Sequence, residues 1–190
     1  MKALTAIKER RSCRNFLDKP VEKEKLETVL QAGLYAPSAV NKQPWEFIVS
    51  TNKQLHEQFK TASEQVVQKL AERSGWKWLN HYHVDFLTQA PVLIVVVGDP
   101  TKNGAEQFLD EPQEGYLEAC SGAVQNMLLA AQAEGLGSLW YSLFERSQVA
   151  ELFKVPTDKV AVAVICLGYA KGEGTMPRRQ EFSEKVTYLK

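Results

Sequence analysis

Arg10, Arg11 and Arg14 surround Ser12 within five residues of chain, in a protein whose 23 basic and 23 acidic residues cancel. Three like charges this close repel one another, so an anion among them is the simplest way to hold them together. A planar fork of donors suits phosphate better than any other common group. A second reading stays open: cations behind a short helix offset its dipole and remain solvated.

Three further segments fit the same anionic, planar ligand. Pro37-Ser38-Ala39-Val40-Asn41-Lys42-Gln43-Pro44-Trp45 is a polar loop held between prolines. Its hydroxyl and amide groups on Ser38, Asn41 and Gln43 suit ribityl hydroxyls, phosphate or the edge of a heterocycle. Gly135-Leu136-Gly137-Ser138-Leu139-Trp140-Tyr141 has the glycine spacing of a dinucleotide loop but the wrong setting. Such a loop follows a strand and opens a helix with a third glycine. Here the glycines follow a helix and Trp140 stands in the third place, so no dedicated nicotinamide domain is expected. Arg178-Arg179 in the tail gains meaning if the tail folds back onto the N-terminal cations.

Other reactive side chains carry less. Cys13 between Arg11 and Arg14 could have a lowered pKa, or could be a packed bystander thiol. The pair His81 and His83, even with Asp85 nearby, lacks a further ligand at convincing spacing, so no metal site is expected. The three cysteines, Cys13, Cys120 and Cys166, are widely spaced and odd in number. That pattern argues for a reducing cytosol and against a disulfide framework.

Alternating helices and strands must position these groups. Leu4 and Ile7 mark the expected core side of a first short helix. Val21–Tyr35 has apolar residues at helical spacing, ended by Pro37 through its restriction on residue 36. Trp45–Ser50 reads as a strand, followed by a helix opening near Asn52. Residues 61–90 are polar and helical at first, then irregular and aromatic, with Trp76 and Trp78 open to two readings, apolar cover for the core or walls of a pocket. Val92–Val97 is a central strand, apolar on both faces. Residues 99–114 are a polar loop. Tyr116–Glu134 is a helix buried on several sides, stopped by Gly135. Gly137–Leu143 is a strand, Gln148–Phe153 a short helix and Val160–Gly168 a last core strand.

With 44% hydrophobic residues and no linker or repeat, residues 1–190 read as one α+β domain. Balanced charge leaves no footprint for nucleic acid. No apolar run approaches the ~18 residues of a spanning helix, and Met1–Thr5 lacks a signal-peptide core. The expectation is a cytoplasmic protein with neither nucleic-acid nor membrane partners.

The ordered motifs Arg-Arg-Ser-x-Arg-x-Phe, Pro-Ser-Ala-x-Asn-x-Gln-Pro-Trp and Gly-Leu-Gly-Ser-x-Trp resemble those of the nitroreductase family of flavin enzymes, almost end to end. The resemblance implies a mostly antiparallel sheet flanked by helices, with the C-terminal tail crossing to a partner subunit. It implies a homodimer with non-covalent FMN at the subunit interface. By the same resemblance Arg10, Arg11 and Ser12 would hold the phosphate and ribityl chain, and Arg14 would lie by the pyrimidine end. Pro37, Ser38, Ala39, Asn41 and Gln43 would reach the FMN from the other subunit. Trp140 and Tyr141 would run along the ring, and Arg179, or Arg178 in its place, would close on the phosphate.

The implied activity is FMN-dependent NAD(P)H oxidation, with nitroaromatic, quinone or similar acceptors reduced by two-electron, ping-pong hydride transfer through flavin N5. No protein acid, base or nucleophile is then required, and Arg14 tunes the flavin. Two alternatives remain at this point: a flavin enzyme with a dedicated substrate (dehalogenase or dehydrogenase type), or a non-enzymatic flavin-binding protein.

Overall fold

In the computed structural model of the chain, which describes residues 1–111, 113–172 and 174–189, the strands form one antiparallel sheet. They are β1 (Trp45–Ser50), β2 (Val92–Gly98), β3 (Gly137–Tyr141) and β4 (Val160–Gly168), in the order β1-β2-β4-β3. β1 and β4 have the bounds read from the sequence. β3 stops at Tyr141, two residues short of the expected end.

β2 is Val-Leu-Ile-Val-Val-Val-Gly, and every residue of it is buried. Antiparallel strands usually alternate apolar and polar. β2 does not, because helices cover both faces of the sheet. Leu93, Val95 and Val97 join Leu139, Tyr141 and Val164 on one side, under α3 (Lys53–Ser74), α4 (Phe86–Gln89) and α6 (Arg146–Phe153). Val92, Ile94 and Val96 join Ala163, Ile165 and Leu167 on the other, under α2 (Lys23–Leu34) and α5 (Gly115–Ala133). Two-fold side-chain alternation thus splits one apolar run between two cores. Each fully buried Val, Leu or Ile contributes roughly 1.5–3 kcal/mol.

α5 buries Ala119, Cys120, Ala123, Val124, Met127 and Ala131 against the sheet. Burial pushes the Cys120 thiol up to about 12, leaving it inert as a nucleophile. The helix ends in a Schellman motif: Leu136 N–H donates to the Ala131 carbonyl (2.8 Å) and Gly135 N–H to Gln132 (3.2 Å), with Gly135 at φ 73°. This tight reversal starts β3 at once. α3 opens as expected at Asn52, whose side chain accepts from the Gln54 and Leu55 amides.

One expectation fails on α1 (Ala3–Glu9). Leu4 is 71% and Ile7 53% exposed, and Ala6 is the residue that packs inward. A seven-residue helix lying on the body offers it only a narrow stripe, and here that stripe is Ala6. Beyond Lys171 the described tail has one short turn, Phe182–Glu184, and no buried residue. Among the described residues no helix is long and apolar enough to cross a membrane.

Candidate functional site

The cationic segment is extended chain laid along the outer edge of β3. Arg10 leaves α1 with extended backbone dihedrals. Ser12 then pairs with Ser138, and Cys13 N–H donates to the Ser138 carbonyl at 2.9 Å. Buried Phe16 pairs with Ala170, while Lys171 N–H donates to Asn15 O and Leu17 N–H to Tyr169 O. Gly174 crosses the Arg11 stem and Gly137 closes on the Cys13 sulfur.

The arginines differ in task. Arg11 Nη1 donates to the carbonyls of Lys8 (2.6 Å) and Arg10 (2.8 Å), while its Nε is buried without a partner. It caps the last carbonyls of α1, the dipole-offsetting role that the sequence left open. Arg10 is different. Burial, then the positive charges of Arg179 and Arg11, hold its pKa below the ordinary arginine value. Of the tail pair, it is Arg179 whose charge bears on Arg10.

A cavity of about 740 Å³ adjoins the segment, lined by Arg11, Ser12, Cys13, Arg14, Gln132 and Lys171 among others. Burial pushes the Cys13 thiol up, outweighing the nearby Arg14 charge. Cys13 is therefore a thiol at neutral pH and not an activated nucleophile.

The second loop is strained. Val40, Asn41 and Gln43 have φ of 45°, 55° and 46°. Left-handed backbone costs a non-glycine residue about 1–2 kcal/mol, and β-branched Val40 is the most unusual occupant. The Ser38 side-chain oxygen accepts from Gln43 N–H (2.9 Å), and the Ser38 carbonyl accepts from Asn41 N–H (3.0 Å). Pro37, Ala39, Asn41 and Gln43 are exposed, whereas Pro44 and Trp45 are buried anchors. Strain of this kind persists where the surroundings over-determine it and is concentrated at functional sites.

Within one chain the two segments do not meet. Ala36 and Pro37 lie over Gly122 of α5, while the cationic segment shares a cavity wall with Gln132. Ten helical residues separate those landmarks, roughly 15 Å.

Trp140 is 37% exposed, but Tyr141 is 2% exposed. The Tyr141 ring packs edge-on against Phe59 and Phe86, and its hydroxyl donates to the Leu143 carbonyl at 2.7 Å. Burial pushes its pKa up. Tyr141 can thus offer a ligand only its main chain. Asp85 is engaged by Lys60 Nζ at 2.6 Å and held below its ordinary pKa by that bond. Trp76 and Trp78 are both exposed, ring centroids 6.1 Å apart. Sequence reasoning missed the turn at 99–106, which packs against the strained loop; nothing in its residue pattern announces that contact.

The model of the nitroreductase family matches residues 7–169. A Methanothermobacter thermautotrophicus protein provisionally named NADH dehydrogenase/NAD(P)H nitroreductase is 34% identical over 180 residues, covering 92% of this chain and 81% of its own. An iodotyrosine deiodinase of Haliscomenobacter hydrossis is 26% identical over 95% of this chain and 84% of its own. The crystal structure of a nitroreductase with bound FMN from Desulfitobacterium hafniense superposes with TM-score 0.79 and 25% identity, each chain covered completely. With the antiparallel sheet and its two helical layers, these similarities settle the classification: the chain belongs to the nitroreductase family, and it is an oxidoreductase.

Proposed function

We propose that the chain binds FMN without a covalent bond and passes two electrons, as hydride, from NADH or NADPH to a nitroaromatic, quinone or similar acceptor. The observation that carries this reading is the charge of Arg179 acting on part-buried Arg10, two residues from Ser12, so that like charges from the two ends of the chain lie near one another. A dianionic phosphate between them offsets the repulsion and takes charge-assisted hydrogen bonds from both. Arg10, Ser12 and Arg179 would hold that phosphate, with Arg178 a neighbouring cation and Arg11 shaping the segment from behind. Arg14, which is exposed, would serve the far end of the ligand.

When bound, the flavin supplies hydride acceptance and donation. The residues supply the rest. Arg14 is a fixed cation that favours added negative charge on a two-electron carrier. The main chain of Trp140 and Tyr141 would orient the ring, and the Trp140 indole would exclude water beside it.

The Pro37, Ser38, Ala39, Asn41 and Gln43 loop packs ten helical residues along α5 from the cationic segment, and a second copy would supply it. A homodimer is further supported by the apolar surface left open at Leu4, Ile7, Phe182, Tyr188 and Leu189. Phe182, Tyr188 and Leu189 follow the part of the tail whose Gly174 lies on the Arg11 stem, and would cross to the partner. The unpaired cysteines fit a reducing cytoplasm.

A second reading, a dedicated substrate in place of a general acceptor, is favoured by the likeness to the deiodinase. Anaerobic mixing of the flavin-loaded protein with NADH and with NADPH separates the two. Bleaching of the flavin band by either nucleotide is the expected result. A flavin indifferent to both points to the dedicated substrate, and a colourless, monomeric protein that declines FMN ends both readings.

A further inference from the structure

We infer that the turn at residues 99–106 is a buttress that fixes the strained 38–43 loop, with Glu106 as a positioning residue for the cofactor. This rests on the reading of that loop as cofactor-facing. The turn touches the loop at two points. Asp99 N–H donates to the Pro44 carbonyl at 2.9 Å, at the loop's end. Gly104 lies directly on Ala39, so closely that a side-chain carbon on Gly104 would overlap the Ala39 methyl.

The turn is itself rigid. Asp99 Oδ1 accepts from the Thr101 amide (2.9 Å) and hydroxyl (2.6 Å). Asn103 donates to the Pro100 carbonyl (3.1 Å) and accepts from Tyr116 N–H (3.0 Å), tying the turn to the first residues of α5. Glu106 Oε1 accepts from Gly104 N–H at 3.0 Å. Its carboxylate lies against Gly115, the first residue of α5, where any side chain would collide with it. The path of force runs from α5 through Gly115 to Glu106, then to Gly104, then to Ala39. Left-handed residues next in line, Val40, Asn41 and Gln43, need such support because their conformation is not one they adopt unaided.

The test reads the loop directly and through the cofactor. In Glu106→Ala and Gly104→Ala, amide exchange at Asn41, Lys42 and Gln43, each hydrogen-bonded within the loop, should accelerate while β1 exchange stays unchanged. FMN affinity should fall about tenfold. Glu106→Gln keeps an oxygen for the Gly104 amide and should restore both readouts. Unaltered loop exchange in both alanine variants overturns the buttress, whether or not the wild type takes FMN. Faster exchange with unaltered FMN affinity overturns the positioning role. Failure of the wild-type protein to bind FMN would instead overturn the cofactor reading, while exchange alone still decides the buttress.

Discussion

Arg179 lies near enough to Arg10 for its charge to add to burial in lowering the Arg10 pKa, although nearly the whole length of the chain separates them. Among the described residues neither forms an ion pair. Removing one cation should therefore leave the ligand-free fold within about 0.5 kcal/mol of its stability. The same change should weaken FMN binding by about 1.5–3 kcal/mol for a lost charge-assisted contact, roughly tenfold to 150-fold. Titrating Arg10→Ala and Arg179→Ala with FMN, alongside thermal melts of the apo proteins, checks both halves. A large apo destabilisation with unchanged flavin affinity would assign the pair a structural task instead.

Val40 offers the reverse sign. It is 73% exposed, so its side chain contributes little packing, yet its φ is 45°. Val40→Gly should raise stability by about 0.5–1 kcal/mol, the relief of left-handed strain less the extra entropy glycine loses on folding. Chemical denaturation measures it, and a destabilised variant refutes the strain.

His56 on α3 is 1% exposed, and its Nε2 lies 3.2 Å from the Ser50 carbonyl and 3.1 Å from the Ser50 hydroxyl. Burial lowers its pKa, against the pull of the Ser50 and Ala90 carbonyls and the Glu57 carboxylate. The unfolded chain then binds the proton more readily than the folded one. This contribution is complete above the unfolded value near 6.5 and is lost as pH falls below it toward the folded value. Melting temperature should drop between pH 7.5 and pH 5 more steeply for the wild type than for His56→Gln. Parallel curves would remove His56 from the account.

The apolar face of α1 gives a test of association. Leu4 and Ile7 are open to solvent in a single chain, so Leu4→Asp with Ile7→Asp should leave the fold intact and shift the protein to monomer. Flavin should be lost with the dimer if, as proposed, a second copy supplies the 37–43 loop to the site. Sedimentation and absorbance at the flavin band on one sample settle it; a yellow monomer would show that one chain suffices.

Much of this was legible in the residues. The bounds of β1 and β4, the Gly135 stop and the Asn52 cap follow from local chemistry, and the structure has them where they were read. Leu4 and Ile7 were misplaced because helical spacing says which residues share a face, not whether that face meets the body or the solvent. The bonds of Arg11 to the Lys8 and Arg10 carbonyls are not legible, because the sequence does not say which way its guanidinium turns. Gly104 and Glu106 were invisible because their importance is a contact with Ala39 across the fold, which no local pattern encodes.

The pairing of Ser12 with Ser138 has one more consequence. β3 ends the sheet on that side, and Cys13 N–H fills the Ser138 carbonyl that would otherwise lie open. The strip proposed to grip the anion is thus also the hem of the sheet. Should it peel away, bare strand would be offered to neighbouring molecules, and the first sign of a failing grip would be self-association and turbidity.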